Sequence, residues 1–277
     1  MNKVRFKQRK LFKAMKALII FGAIFIFAYI GAKPVIAEFN QTLDIVINYF
    51  CDFLVVGVLI ILFTYYSKYG KCDSFLSQIE NEINDNGFYL TSRQERTYDE
   101  YVNVMLEDLK SCGYSINKNI EINEFDFSIK AIKRKDFFYA ACVDELEKND
   151  VLAYLDSVIN DLTVTNLKRK GNVVVCLITD KAQDDAIALS KMITPLGKKE
   201  QIKIALSICE LSTGNVYFLG NAQTKCQQMI ANYVMNCNLP LKEQFIHKEK
   251  LQFQYDLEKK MQDFTIKDFK NGNFYAH

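Results

Sequence analysis

Two groups of acidic residues are the strongest candidates for chemistry in this chain. Asp126 stands in an alternating stretch between Phe125 and Phe127, and Asp144 and Glu145 follow an apolar run at 137–143. Carboxylates brought together from two strands could hold Mg²⁺, which stabilises the charge that develops on a phosphate during its transfer. Acidic side chains beside a hairpin are also common as plain surface charge, so both interpretations stay open at this point.

Three further polar residues recur at intervals of four inside an apolar run at 43–66. Asp44, Asn48 and Asp52 therefore line one face of a helix. Asp44 is predicted to lie at a membrane interface. Asp52 lies about two turns further in, where a carboxyl group is costly and faces a partner, a water-filled cavity or a protonation site. The two main interpretations are a contact between subunits and a neutral carboxyl group tolerated near the outer boundary.

The other reactive residue types show no metal-binding or catalytic pattern. The eight cysteines are scattered without metal-ligand spacing, and the chain has two histidines, His247 and His277. This argues against a structural zinc site. Cysteines inside apolar runs, such as Cys142 and Cys176, behave as small core residues and suit a reducing cytosol. The sequence also contains no glycine-rich phosphate loop and no nucleophile elbow.

The elements that position these residues begin with two long apolar runs, at 17–32 and 43–66, which predict a transmembrane helical hairpin. Residues 1–16 carry seven basic side chains and no acidic one. Because basic flanks stay in the cytoplasm, we expect a multi-pass cell-membrane protein with both termini cytoplasmic. A cleaved signal peptide at residues 1–37 is the competing interpretation, and it would leave the second run as a span.

Hydrophobic periodicity after the hairpin predicts a cytosolic, layered α/β domain with a mixed sheet. The wholly apolar, β-branched run at 173–178 is typical of a buried parallel strand. In chain order the predicted elements are a helix at 98–112, a strand hairpin at 125–131 and 137–143, a helix at 151–162, the buried strand, a helix at 182–193, and strands at 202–208 and 216–219 joined by a turn.

The chain is therefore predicted to have four parts. Phe75, Leu76, Ile79 and Ile83 recur at helical spacing between the second span and the main domain, and a stop signal follows at 84–87. The predicted parts are a basic tail with a two-span hairpin at 1–66, a juxtamembrane helix and linker at 67–96, the α/β domain at 97–238 and a C-terminal helical tail at 239–277.

Charge is distributed unevenly along the chain. The whole chain carries 35 basic and 33 acidic residues, and beyond residue 16 the acidic residues outnumber the basic ones. A nonspecific nucleic-acid-binding protein is normally basic, so nucleic acid is not an expected partner. The basic tail has two interpretations, attraction to anionic membrane lipid and a signal for topology alone.

Over about residues 97–220 this order of elements resembles the restriction-endonuclease-like nucleases of the PD-(D/E)XK superfamily, particularly their Mrr-type branch. In that family a helix ending in a glycine-aromatic pair, here Gly113-Tyr114, precedes a strand whose aspartate binds a divalent metal, and Asp126 resembles that position. The next strand ends there in an acid or glutamine, a spacer and a lysine. Here Cys142 and Asp144 stand at those positions, so the lysine is absent, and the resemblance implies the fold more than the activity.

The sequence thus predicts a membrane-anchored cytosolic interaction or regulatory module, without catalysis and without a cofactor. The alternative is a membrane-tethered, Mg²⁺-dependent nuclease, which needs a lysine to converge in space on Asp126 and Asp144. A channel or transporter component is a third class and depends on Asp52 alone. The expected partners are membrane lipid and a second copy of the chain, bound through the spans or through the C-terminal helix.

Overall fold

The computed structural model describes residues 3–93, 97–164, 171–197 and 201–265, and it has a mixed α/β fold with two long N-terminal helices. The helices are α1 (Lys3–Phe39), α2 (Gln41–Asn84), α3 (Tyr98–Ser111), α4 (Lys148–Val164), α5 (Asp184–Ser190), α6 (Lys225–Tyr233) and α7 (Gln252–Asp263), with a 3₁₀ turn at Glu243–Phe245. The strands are β1 (Tyr89–Leu90), β2 (Ser115–Ile122), β3 (Phe125–Lys133), β4 (Asp136–Leu146), β5 (Gly171–Ala182), β6 (Ile193–Leu196), β7 (Ile202–Glu210) and β8 (Asn215–Tyr217).

The chain divides into two compact units. The first, called here the helical unit, comprises the chain up to Ile79 together with the stretch from Glu258 onward. The second, the α/β unit, is Glu80–Leu257. The last turn of α2 belongs to the α/β unit, so this one helix contributes residues to both.

Each of the first two helices is long and apolar enough to cross a membrane. The apolar part of α1 has a mean hydropathy of 2.1, and Gln41–Ser67 within α2 has 2.5. The predicted loop at 33–43 is wrong, because helix continues to Phe39 and only Asn40 intervenes. The Asn40 side chain accepts hydrogen bonds from the backbone N–H groups of Thr42 and Leu43, at 3.0 and 3.2 Å, and so caps α2.

The predicted juxtamembrane helix is not a separate element. It is the second half of α2, which runs for 44 residues, or about 66 Å at 1.5 Å per residue. No proline occurs within Gln41–Asn84, so nothing in the sequence interrupts the helical hydrogen bonds between the apolar and the amphipathic halves. The predicted linker therefore shrinks to the residues that follow Asn84, and 94–96 lie outside the described residues.

The α/β unit is built on one mixed sheet with strand order β1-β8-β7-β5-β4-β3-β2, and β6 also pairs with β7. The predicted buried parallel strand is confirmed, since β5 lies between β4 and β7 and is parallel to both. The predicted hairpin is confirmed as β3 and β4, which are antiparallel and turn at Arg134. The predicted turn near residue 213 also joins an antiparallel pair, β7 and β8.

Helices cover both faces of this sheet, which makes three layers. Alternate residues of β5 enter different cores: Val174 and Cys176 pack with α3 and α6, whereas Val173 and Val175 pack with α4 and α5. A strand buried on both faces needs apolar residues at every position, which explains its continuous apolar run.

Three strands, β1, β2 and β6, did not appear among the predicted elements. The strand β2 has the sequence SINKNIEI and forms one edge of the sheet, where the exposed positions carry polar residues and the half-buried positions carry isoleucine. The predicted helix at 182–193 ends at Ser190, and the chain then pairs with β7 through β6. The C-terminal helix begins only at Gln252, and residues 266–277 of the predicted tail lie outside the described residues.

Candidate functional site

Asp126 lies near the start of β3, where it pairs with Glu121 of the edge strand β2. The ladder between β3 and β4 extends only as far as Ile129↔Ala140, so Asp126 lies beyond the section in which these two strands are paired. Its neighbours Phe125 and Phe127 both contact the ring of Tyr154 on α4. Asp126 between them is therefore directed to the opposite, α3-bearing face and is exposed.

Asp144 and Glu145 lie at the end of β4, and both are exposed. The hydroxyl group of Thr179 donates to the backbone carbonyl of Asp144 at 2.9 Å, so this bond does not involve the Asp144 carboxylate. Glu145 lies 3.9 Å from Lys181, and the two side chains are 70 % and 73 % exposed. These are the properties of surface charges in contact with water.

No lysine forms an ion pair with Asp126 or Asp144 among the residues that the structure describes. Over the same residues, no group of three or more His, Cys, Asp and Glu side chains could hold a metal ion. Cys142, which stands at the family's acid position, lies 3.6 Å from the Ser128 hydroxyl group, and burial raises the pKa of its thiol. A protonated thiol is a weak metal ligand, so the described side chains do not assemble the magnesium site.

A polar pocket lies instead at the carboxyl end of the central strands. Its volume is ≈ 950 Å³. Residues of the loop after β1, of α3, of the end of β5 and of the β7–β8 turn line it: Leu90, Thr91, Arg93, Tyr101, Asp180, Cys209, Leu211, Ser212, Thr213 and Gly214. Open sheets with parallel strands commonly bind ligands at this edge.

The loop after β1 is held against the pocket by hydrogen bonds to two other segments. The Thr91 N–H donates to the Gly214 carbonyl at 3.1 Å, and the Ser92 hydroxyl group donates to the Met235 carbonyl at 2.8 Å. On the other side, the Ser212 hydroxyl group donates to the Asp180 carbonyl at 2.6 Å. The pocket wall is therefore fixed mainly by bonds to backbone groups.

Arg93 is the one cation among the described residues that line this pocket, and 3 % of its side chain is exposed. Its guanidinium group forms an ion pair with Asp108 of α3 and donates to the Tyr233 carbonyl at 2.9 Å. The Arg93 Nε–H has no hydrogen-bond partner among the described residues. A buried donor without a partner is costly in free energy, and Arg93 is one of the residues that line the pocket.

Near the same edge of the sheet, Tyr98 of α3 lies close to Asp180 at the end of β5 and to Val143 of β4. Its hydroxyl group donates to the Val143 carbonyl at 3.3 Å. Burial, assisted by the nearby Asp180 carboxylate, raises the pKa of Tyr98 to about 12. Tyr98 therefore stays neutral at physiological pH and acts as a hydrogen-bonding side chain rather than as a base.

A fully buried ion pair lies elsewhere in the α/β unit. Lys191 Nζ donates to Asp85 Oδ2 and to the Phe218 carbonyl, both at 2.8 Å, and both side chains are 0 % exposed. Asp85 also accepts from the Tyr89 hydroxyl group at 2.7 Å and from the Asn221 N–H at 3.2 Å. Burial lowers the pKa of Lys191, and the Asp85 carboxylate opposes that shift. Because each charged group has two or more hydrogen-bonding partners, we interpret the pair as structural.

The sequence interpretation missed Lys191, Asp85 and Arg93. Asp85 was assigned to a helix stop signal, where an acidic residue is ordinary. Lys191 is the lone charge in the stretch Ala186–Leu196, and an isolated lysine among apolar residues is the signal that indicates a buried partner. Arg93 carried no such signal, because it lies in a polar stretch.

In the helical unit the three predicted polar residues have different environments. The Tyr29 hydroxyl group of α1 donates to the Asp44 carboxylate at 2.7 Å, so Asp44 has a partner within the chain. Asn48 and Asp52 are exposed. Asp44 therefore differs from Asn48 and Asp52 in having a hydrogen-bond partner on α1.

A second polar cluster joins the start of α1 to α2. Arg5 donates to Gln8 at 2.8 Å and to Ser77 at 2.9 Å, and it forms an ion pair with Asp73. Gln8 in turn donates to Asp73 at 2.6 Å. Part of the basic tail is therefore built into the packed helix pair and is not a free extension.

No protein-family model, curated protein or solved structure matches this chain.

Proposed function

We propose that this protein is a membrane-anchored cytosolic interaction or regulatory module, and that its α/β unit binds a partner or ligand without catalysing a reaction. The membrane part of the proposal is supported by two helices of sufficient length and hydropathy and by the large apolar side chains they expose. The basic start of α1 and the poorly charged connection at Asn40 support a cytosolic position for both termini.

The observation that carries the regulatory part is the short length of chain between α2 and the pocket. This helix ends at Asn84, and after five intervening residues the chain forms the pocket wall at Leu90, Thr91 and Arg93. A molecule bound there contacts the segment that leaves α2. In this proposal the same short stretch of chain contacts the bound molecule and follows α2. A change of conformation in α2 would then alter binding, which is the link that a regulatory module requires.

The placement is tested by labelling in intact cells with a membrane-impermeant maleimide. Gln41→Cys at the exposed start of α2 is expected to react from outside. Cys112, an exposed native thiol, is expected to react only after permeabilisation. Cys226 is unsuitable as the inner reporter because it is 1 % exposed. Reaction of Cys112 from outside would overturn the cytosolic placement.

The binding role is tested on the full-length protein in detergent by thermal-shift screening against small metabolites that accept hydrogen bonds. A stabilising compound is expected to lose its effect in Ser212→Trp, which fills the pocket, and to keep it in Ser111→Trp on the exposed end of α3. If stabilising compounds act equally on both variants, the pocket is not the binding site.

The second candidate is the membrane-tethered, Mg²⁺-dependent nuclease. It is favoured by the order α3-β2-β3-β4-α4-β5, in which a helix and an antiparallel meander precede a helix and a parallel strand. The resemblance to the restriction-endonuclease-like family depends on the predicted order of helix, hairpin, helix and strand, and the structure adds β2 before that hairpin. The exposed carboxylates Asp126 and Asp144 would hold the metal, and the water-orienting lysine has no counterpart beside them in the described residues.

Under the main proposal the purified protein does not cleave DNA or RNA with Mg²⁺ or Mn²⁺ present. Cleavage alone could come from a contaminant, so the matched variants are Asp126→Ala and Asp144→Ala. Activity that disappears in both, with unchanged circular dichroism, would favour the nuclease over the non-catalytic module.

A further inference from the structure

Asn48 and Asp52 are two polar residues exposed on an otherwise apolar part of α2. Asp52 lies two residues from the midpoint of the apolar segment Gln41–Ser67. Within the described residues neither side chain has a hydrogen bond or an ion pair. A carboxyl group near the centre of a bilayer almost always faces a protein partner or water, because lipid tails offer no hydrogen bonds.

The intramolecular helix pair does not supply that partner. The residues of α2 that face α1 include Cys51, Leu54 and Tyr65: Cys51 and Tyr65 are buried, and Leu54 lies 2.5 Å from the position of a Cβ added at Gly22 of α1. Helical geometry places Asn48 and Asp52 about 100° away from that face, at 100° per residue. The polar pair is therefore on a second face of the helix, which the described chain leaves open.

This second face carries a heptad pattern. Alternating steps of three and four residues starting from Ile45 give one stripe, and all its members except the half-buried Leu62 are exposed. The stripe, called here the outer seam, is Ile45, Asn48, Asp52, Val55, Leu59, Leu62 and Tyr66. Residues at this spacing lie along one side of a helix and can form a left-handed helix–helix contact, and a polar residue within such a contact fixes register and oligomeric state.

We infer that the outer seam binds the outer seam of a second copy of this chain, in a parallel, two-fold symmetric pair. This inference rests on the proposed membrane placement. The choice of a second copy follows from self-complementarity: Asn48 offers an amide donor and Asp52, one helical turn away, offers a carboxyl acceptor. In a parallel pair the two-fold axis runs along the helices, so the Asn48 of each copy lies one helical turn from the Asp52 of the other, within reach of a diagonal hydrogen bond, and the axis generates this bond twice.

The C-terminal helix is a weaker surface for this contact. Met261 and Phe264 are 8 % and 3 % exposed within one chain. The Phe264 ring lies 6.0 Å from the ring of Phe75 on α2, so the apolar residues at the end of α7 already pack against the same unit.

The test is disulfide cross-linking of the full-length protein in native membranes. Val55→Cys lies on the outer seam, and Phe53→Cys lies at the same depth on another face, with side chains 43 % and 76 % exposed in the native protein. The parent chain with its eight cysteines provides the baseline. Val55→Cys is expected to form a covalent dimer under mild oxidation well above that baseline, and Phe53→Cys is not.

The polar contact is tested in the Val55→Cys background. Asp52→Leu or Asn48→Leu is expected to weaken association about 3- to 20-fold, the range that corresponds to one interhelical hydrogen bond in a membrane. Asp44→Asn is the control, because Asp44 already has Tyr29 as a partner, and it is expected to leave cross-linking unchanged.

Equal cross-linking at positions 53 and 55, no loss in Asp52→Leu, or a cross-link to a different protein would each overturn the inference. Alkaline extraction of the membranes distinguishes this failure from failure of the proposed function. A chain that stays in the membrane pellet without cross-linking refutes only the pair, whereas release into the soluble fraction refutes the membrane anchor itself.

Discussion

The two units place their apolar side chains in opposite directions. Among the described residues, every large apolar side chain that is exposed lies between Phe6 and Tyr66, apart from Leu90, Leu152 and Tyr255. In the α/β unit the corresponding residues fill the cores on both faces of the sheet. Both arrangements follow from the rule that side chains resembling the solvent are exposed to it, if the helical unit has lipid as its solvent and the α/β unit has water.

The polar groups show the same reversal. In the helical unit Arg5 and Gln8 are buried between helices while Phe21 and Phe27 are exposed. Among the described lysines of the α/β unit, Lys191 is the buried one, and it donates to Asp85 and to the Phe218 carbonyl. Burial alone therefore does not define a hydrophobic core. The chemical type of the exposed residues, apolar or polar, indicates whether lipid or water suits that surface.

The largest expected effect comes from a matched pair of phenylalanines. Phe127→Ala removes a ring that is 0 % exposed in the α/β unit and is expected to cost about 3–5 kcal/mol of unfolding free energy. Phe53→Ala removes a ring that is 76 % exposed and is expected to change stability by less than about 1 kcal/mol in a membrane. Labelling of the buried Cys176 thiol reports unfolding of the α/β unit, and circular dichroism during titration with denaturing detergent reports the helices.

A comparable cost from both substitutions would show that protein covers Phe53, and the contrast between the two solvents would then fail at this position.

A second contrast sharpens the comparison for charges within the α/β unit. Lys191→Met leaves Asp85 buried without its cation and is expected to destabilise this unit by about 3–5 kcal/mol. Lys181→Met, which removes the exposed partner of Glu145, is expected to cost at most about 0.5 kcal/mol. Thermal unfolding of the full-length protein in detergent measures both. If Lys191→Met proved as mild as Lys181→Met, the buried pair would contribute nothing to the fold.

The smallest expected effect concerns the polar contacts inside the helical unit. Arg5→Met removes charged hydrogen bonds to Asp73 and Ser77 and is expected to lower the stability of the helix pair by about 1.5–3 kcal/mol. The exposed Lys10 gives the control, since Lys10→Met is expected to be neutral. Detergent-induced loss of helical circular dichroism measures both. Equal curves would mean that the start of α1 acts as a topology signal alone.

Periodicity was sufficient where a segment's environment is uniform along its length. The run at 173–178 predicted a strand covered on both faces. In β5 each of these six residues packs into one of the two cores. The two apolar runs predicted two long helices for the same reason. The edge strand β2 was missed because half of its residues face water and its pattern resembles that of a loop.

The pocket and the polar clusters could not be predicted because their members are distant in sequence. Lys191 and Asp85 are 106 positions apart, and Arg5 and Asp73 are 68 apart. Local patterns contain no information on such pairs. The relation between Asp126 and Asp144 likewise depends on strand pairing that local patterns do not contain: their strands are neighbours, and the ladder between them ends at Ile129↔Ala140 before it reaches Asp126.

The edge strand β2 also bears on how crowded copies of this protein behave. An open strand invites backbone pairing with a neighbouring molecule. In β2 the backbone of Asn119 adopts a positive φ of 46°, which interrupts the regular alternation, and Lys118 places a charge beside it. These two features discourage a strand of a neighbouring molecule from extending the sheet at β2.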